Sequence, residues 1–147
     1  MPHTVTFQRV FRAPAERVFR AFIDPDAMAK WLPPHGFTGR VHEMDARLGG
    51  VYKMSFTNLS NGQSHSFGGK FLEFRPAELL SHTDRFDATD LPGEMVTTIR
   101  FQTVSVGTEL NIEQAGIPDP IPAEACCLGW QESLQLLALL VEAEIPA

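Results

Sequence analysis

The groups in this chain that could do chemistry are five histidines, two adjacent cysteines and one turn that mixes acid, base and glycine. Histidine is the commonest metal ligand and titrates near neutrality. His3, His35, His42, His65 and His82 nevertheless lack the i, i+4 helical pairing of a zinc helix. His42, His65 and His82 fall in strand-like stretches and would meet only if two strand registers allowed it. Cys126 and Cys127 have no basic neighbour in sequence to depress a thiol pKa, which points to inert, buried cysteines. Neighbouring helical side chains diverge, so these two should not pair with each other. A phosphate cradle at Asp45-Ala46-Arg47-Leu48-Gly49-Gly50 would need a helix N-terminus behind it, and a strand pattern follows instead. That run reads as a tight turn, with glycine supplying positive φ and Asp45 and Arg47 tying down the backbone. No G-x-S-x-G elbow occurs. No catalytic residue, metal or cofactor is assigned.

These groups have to be positioned by the elements around them. The longest is a C-terminal helix from Pro122 to about Glu142, about 30 Å long at 1.5 Å per residue. Pro122 suits a helix start, and Glu124 suits the positive end of the dipole. Cys126, Trp130, Leu134, Leu137 and Val141 make one apolar stripe, widened by Cys127, Leu136 and Leu140. Gln131, Glu132, Gln135 and Glu142 lie opposite. At the other end, His3–Phe11 alternates as a strand. Helices follow from Pro14 to Ile23 and from Asp26 to Leu32, bounded by Asp24-Pro25 and Pro33-Pro34. From Phe37 the period becomes two. Strands are expected at Phe37–Asp45, Val51–Asn58, His65–Phe74, Leu79–Phe86, Met95–Val104 and Thr108–Gln114, with a bulge or bend at Gly68-Gly69. Asp87–Glu94 reads as a polar loop holding Pro92-Gly93.

A chain of 147 residues, 44% hydrophobic and 20% charged, is one domain's worth with a real core. The net charge of −6 argues against a nucleic-acid backbone binder. No apolar run approaches a membrane span, and MPHTVTFQRVF lacks a signal-peptide layout, so a cytoplasmic location is expected. Short antiparallel connections imply one curved sheet of six or seven strands wrapped around the long helix, an α+β helix-grip arrangement. A single helix cannot fill such a sheet, and the gap is a natural apolar pocket.

The order of motifs resembles the START-like (SRPBCC, birch-pollen-allergen-like) superfamily. Within it, the chain is similar to homologues of the C-terminal domain of the heat-shock-protein-90 ATPase activator. The resemblance rests on Ala13-Pro14 with Val18-Phe19 and Phe22, Trp31 before a Pro-rich loop, and the turn Asp45-x-Arg47-x-Gly49-Gly50-x-Tyr52. It continues through Gly69, Glu73, Pro76 and Leu79, then Thr108, Leu110 and Gln114, and finally Gly129-Trp130 with Leu134 and Leu137. Thr83 stands where this family often has an aromatic residue, and no counterpart of the co-chaperone's N-terminal domain is present.

The resemblance implies one START-like domain over residues 1–147 that binds a hydrophobic small molecule. Its cavity-lining candidates are Trp31, Tyr52, Met54, Phe56, Phe71, Leu110, Ile112, Cys126, Trp130 and Leu134. His82, Arg100 and Gln114 would orient the ligand, with Arg85 as the alternative if the fifth strand runs in the other phase. Two other classes follow from the same resemblance. One is an enzyme of the polyketide cyclase or hydrolase kind, marked by converging polar groups of shifted pKa. The other is a module that contacts a chaperone through an exposed patch, against which the missing N-terminal domain counts. A monomer or homodimer fits all three.

Overall fold

In the computed structural model, which describes residues 3–87 and 93–146, one strand is followed by two short helices, six strands and a long helix. The strands are β1 (His3–Phe11), β2 (Phe37–Met44), β3 (Val51–Asn58), β4 (Ser64–Arg75), β5 (Leu79–Phe86), β6 (Met95–Val104) and β7 (Gly107–Ile117). The helices are α1 (Ala15–Ile23), α2 (Pro25–Trp31) and α3 (Ala123–Val141). All seven strands form one antiparallel sheet in the order β1-β7-β6-β5-β4-β3-β2, so only the β1/β7 pairing joins strands distant in sequence.

Prolines and one aspartate punctuate the helices. Pro14 and Pro122 sit in extended conformation immediately before α1 and α3. Pro122 is thus the cap rather than the first helical residue. Asp24 ends α1 and caps α2, its Oδ1 accepting from the backbone N–H of Asp26 (2.9 Å) and Ala27 (3.1 Å). Pro25 opens α2, where no backbone donor is needed.

The two edges of the open sheet are bridged by helices. α2 packs on β2 and on α3, and α3 packs on β1 and on α1. This chain of contacts brings the edge strands toward each other, and the sheet curves around α3. Beneath the C-terminal half of α3 the space is solid, with Phe11, Val18, Phe19, Leu110, Leu134, Leu137 and Val141 all buried in one cluster. Phe19 meets Phe74 and Phe101 edge-on there, at 5.5 and 5.3 Å between ring centroids.

Three glycines, Gly49, Gly50 and Gly69, carry the sheet's shape. Gly49 takes φ +78° in the β2–β3 turn, and a side chain on Gly50 would overlap the Asp45 carbonyl oxygen. Arg47 Nε donates to both Asp45 oxygens, at 3.0 and 2.9 Å. The turn is docked on β4 by Gly49 N–H to Phe71 O (3.0 Å) and Phe71 N–H to Gly50 O (2.9 Å). The bulge expected at Gly68-Gly69 lies a few residues on, where the β4–β5 register slips between Phe71 and Glu73. Gly69 is needed for close approach instead, since a Cβ there would overlap the Thr83 carbonyl oxygen. β7 runs past the expected end at Gln114 because Ala115 and Ile117 find partners on β1. The loop expected at Asp87–Glu94 falls largely outside the described residues, with Pro92 among those not described. Among the described residues, no helix is long and apolar enough to cross a membrane.

Candidate functional site

Where the C-terminal half of α3 is packed solid, its N-terminal half is not. A cavity of about 460 Å3 lies between α3 residues 125–133 and the concave faces of β3 to β7. This is within the range of small-molecule sites, about 300–1,000 Å3. Its end near α2 is formed by Phe22, Met28, Trp31 and Leu32. Trp31 is held in place by its indole N–H, which donates to Ala21 O at 2.8 Å. At the opposite side Phe37, Phe56, His65, Phe67 and Phe86 form an aromatic rim, with Phe56 and Phe67 edge-on at 4.9 Å. Burial lowers the pKa of His65, so that ring stays neutral near pH 7.

One wall is polar, and strand register builds it. His82 on β5 faces Thr97 on β6, and Thr97 faces Gln114 on β7, forming a row across three strands. Asp84 lies two residues beyond His82 on the same face, and Tyr52 reaches across from β3. The directions of the hydrogen bonds follow from the donors. Trp130 Nε1–H can only donate, and it does so to Gln114 Oε1 at 3.0 Å, as does the Cys126 thiol at 3.3 Å. Gln114 Nε2 therefore faces Thr97 and donates to its Oγ1 at 3.1 Å. The Thr97 hydroxyl then donates to Asp84 Oδ2 at 2.5 Å. Asp84 Oδ1 accepts from the Tyr52 hydroxyl, and His82 Nδ1 lies 3.0 Å from the same oxygen. Nδ1 is also 3.3 Å from the Thr83 carbonyl oxygen. Both neighbours are acceptors, so Nδ1 carries a proton.

Three donors on one buried carboxylate define the electrostatics. Burial alone would raise the Asp84 pKa, but His82, Thr97 and Tyr52 together bring it below the ordinary carboxylate value. Burial alone would lower that of His82, and the Asp84 charge outweighs it, so the imidazole holds its proton more tightly than a free histidine. Tyr52 is pushed well above its usual value by burial and by the Asp84 charge, and stays a phenol. The Cys126 thiol is pushed up to about 11 by burial and by Cys127, and stays protonated.

Of the residues expected from sequence to line a pocket, Trp31, Tyr52, Phe56, Phe71, His82, Gln114, Cys126 and Trp130 border this cavity. Met54, Leu110, Ile112 and Leu134 do not. They are buried in the packed cluster under the sheet–helix contact, which α1 helps to fill. Arg100 is a correction too. Met95, Thr97, Ile99 and Phe101 take the inward phase of β6, which leaves Arg100 exposed on the outer face. Arg85 is likewise exposed, 3.6 Å from Glu94. Asp84 and Thr97 were missed. The signal for Asp84 was present, since it is an acid in phase with Leu80, His82 and Phe86.

Apart from His82 and the rim residue His65, the histidines His35 and His42 lie away from the cavity. His42 is exposed and bonds the Ser55 hydroxyl at 2.8 Å, and His35 faces Glu132 at 3.4 Å. Among the described residues no three His, Cys, Asp or Glu side chains gather as metal ligands would.

Residues 12–142 match the family described as Activator of Hsp90 ATPase homolog 1-like protein. A crystal structure of a protein from Chromobacterium violaceum is 56% identical, covering 98% of this chain and 100% of that one with a TM-score of 0.96. More distant structures share the fold. A Rhodobacter sphaeroides protein is 23% identical over 93% of this chain and 90% of its own, with a TM-score of 0.81. A Staphylococcus epidermidis protein is 18% identical over 100% of this chain and 95% of its own, also with a TM-score of 0.81. No curated protein matches the chain.

Proposed function

The chain belongs to the Activator of Hsp90 ATPase homolog 1-like family, and from that premise we propose that it binds an apolar small molecule in the cavity under α3. One observation carries this reading: the space between sheet and helix is open beside the N-terminal half of α3, where one side is aromatic and the other a connected row of polar groups. Plain core would be closed there, as it is under residues 134–141. Both tryptophans border the cavity, so a fluorescent apolar probe should bind saturably and quench them. A Gly129→Leu variant supplies the control, because a Cβ at Gly129 meets nothing within 4 Å and a side chain there would enter the cavity. Saturable binding to the wild type that is lost in Gly129→Leu supports the proposal. Equal binding to both would place the probe elsewhere.

A second reading, an enzyme, is favoured by the convergence of Tyr52, His82 and Asp84, three titratable groups with displaced pKa values on one cavity wall. Turnover of ester or β-keto probes that disappears in His82→Gln would support it. The chaperone role in the family's name is not part of this proposal.

A further inference from the structure

Counting the hydrogen-bonding capacity of the polar wall shows what it has left to offer a ligand. Both Asp84 oxygens are already used, Oδ1 by Tyr52 and His82 and Oδ2 by Thr97. Gln114 Oε1 accepts two donors, and Thr97 Oγ1 both donates and accepts. The His82 side chain is 18% exposed and borders the cavity, and among the described residues its Nε2 has no protein partner. Among the described residues no lysine or arginine lines the cavity, and of its two imidazoles His65 is held neutral near pH 7 by burial, which leaves His82 to offer positive charge to a bound molecule.

We propose that the ligand of this cavity is an apolar carboxylic acid, whose carboxyl oxygen meets His82 Nε2 and shares one proton with it. This rests on reading the cavity as a ligand site. A ligand ammonium fits less well, because the Asp84 carboxylate already takes three donors and His82 Nε2 could accept from an ammonium only by giving up the proton that Asp84 stabilises. With Nδ1–H given to Asp84, Nε2 bonds an acid oxygen in either protonation state, as N–H⁺···⁻O or as N···H–O. The carboxylate behind the ring stabilises the charge that the imidazole takes on, and the aromatic rim opposite receives the hydrocarbon body.

The titratable groups around His82 are Asp84 on its own strand, Tyr52 on β3, His65 on β4 and Cys126 on α3. β6, β7 and α2 contribute none to the cavity wall. Tyr52 and Cys126 keep their protons and His65 stays uncharged near pH 7, so the Asp84–His82 pair sets the pH response.

The test uses the whole chain with 1-aminoanthracene, an uncharged fluorescent probe, displaced by decanoic acid or by methyl decanoate. The ester is the more apolar of the two, so apolar burial alone would make it the better competitor. The proposal expects decanoate to win in the wild type, with a preference that vanishes in both His82→Gln and His82→Asn. It also expects decanoate affinity to fall up to about tenfold per pH unit as pH rises through the His82 titration, while the ester's stays flat. The wild-type pH profile decides even if both variants fold poorly. A bound probe that decanoate displaces no better than the ester, or not at all, overturns the acid assignment and leaves the cavity reading intact. If neither the probe nor either competitor binds, both fall.

Discussion

Trp130 donates its indole N–H to Gln114 Oε1 across the helix–sheet gap, at 3.0 Å. Because indole can only donate, this one contact fixes which way the Gln114 amide points, and through Thr97 it fixes the polarity of the wall down to Asp84. A side chain on the helix thereby orients a carboxylate on β5 that it does not touch.

Asp84→Asn should remove the carboxylate that faces His82, so that the imidazole is either an unpaired buried cation or has to give up its proton. A loss of about 3 kcal/mol is expected in urea unfolding near pH 6. The pH window follows from the two directions. The His82 pKa is raised, so its contribution is complete below its unfolded value and is lost as pH rises through the folded one. The Asp84 pKa is lowered, so its contribution is present above the unfolded carboxylate value and is lost as pH falls through the folded one. The wild-type advantage over Asp84→Asn should therefore be greatest between about pH 4 and 6.5. An advantage independent of pH from 4 to 9 would mean that the pair is not ionised in the fold.

Gly129→Ala should raise the melting temperature, because alanine gains about 1 kcal/mol over glycine in a helix interior and the added Cβ meets no atom here. The same variant should trim the cavity only slightly and leave probe binding nearly unchanged. A fall in melting temperature would show that the cavity wall is closer to this position than it stands.

Val at Gly49 or Gly50 should each cost a few kcal/mol, for different reasons. At Gly49 the positive φ strains a β-branched residue, and at Gly50 the side chain overlaps the Asp45 carbonyl oxygen. Gly49→Asn should recover most of the first loss, since asparagine tolerates that backbone, whereas Gly50→Asn should recover none. Equal melting of Gly49→Asn and Gly49→Val would contradict the strain argument.

Trp130→Ala should cost less than a core tryptophan, about 2 kcal/mol rather than the 3–5 of a filled site, because one side of the ring already faces open space. The indole's tilted contact with Phe7, at 5.9 Å, and its hydrogen bond to Gln114 are what is lost. Measured in a Trp31→Phe background, wild-type Trp130 emission should respond to probe binding. A full core-sized loss of stability with no fluorescence response would place the ring inside solid packing.

Element boundaries were largely legible because the punctuation is strong and local. Val51–Asn58, Leu79–Phe86 and Met95–Val104 follow from alternation bounded by turn residues, and the helices from Pro14, Asp24-Pro25 and Pro122. Strand alternation and helical spacing pick out Trp31, Tyr52, Phe56, Phe71 and Trp130 on the cavity's apolar side, but they do not pick out Phe37 or Phe86. The polar wall was not legible, since it exists only once His82 faces Thr97 and Thr97 faces Gln114, and register is a property of paired strands. Arg100 was drawn in by its chemistry although the alternation of its own strand turns it outward. Leu110, Ile112 and Leu134 share the inward phase with cavity residues, and only the closeness of α1 and the end of α3 separates core from cavity.

The two sides of the cavity differ in how they can change over evolutionary time. Phe37, Phe56, Phe67 and Phe86 contribute bulk, and each can be exchanged for another apolar side chain without altering what its neighbours must be. Trp130, Gln114, Thr97, Asp84 and His82 form a sentence with a fixed direction, in which replacing any one group leaves the next with a donor or acceptor unspent. Relatives should therefore drift freely in the shape of the apolar body they accept, one residue at a time. A switch in the head group they recognise should arrive as a coordinated replacement of several positions at once.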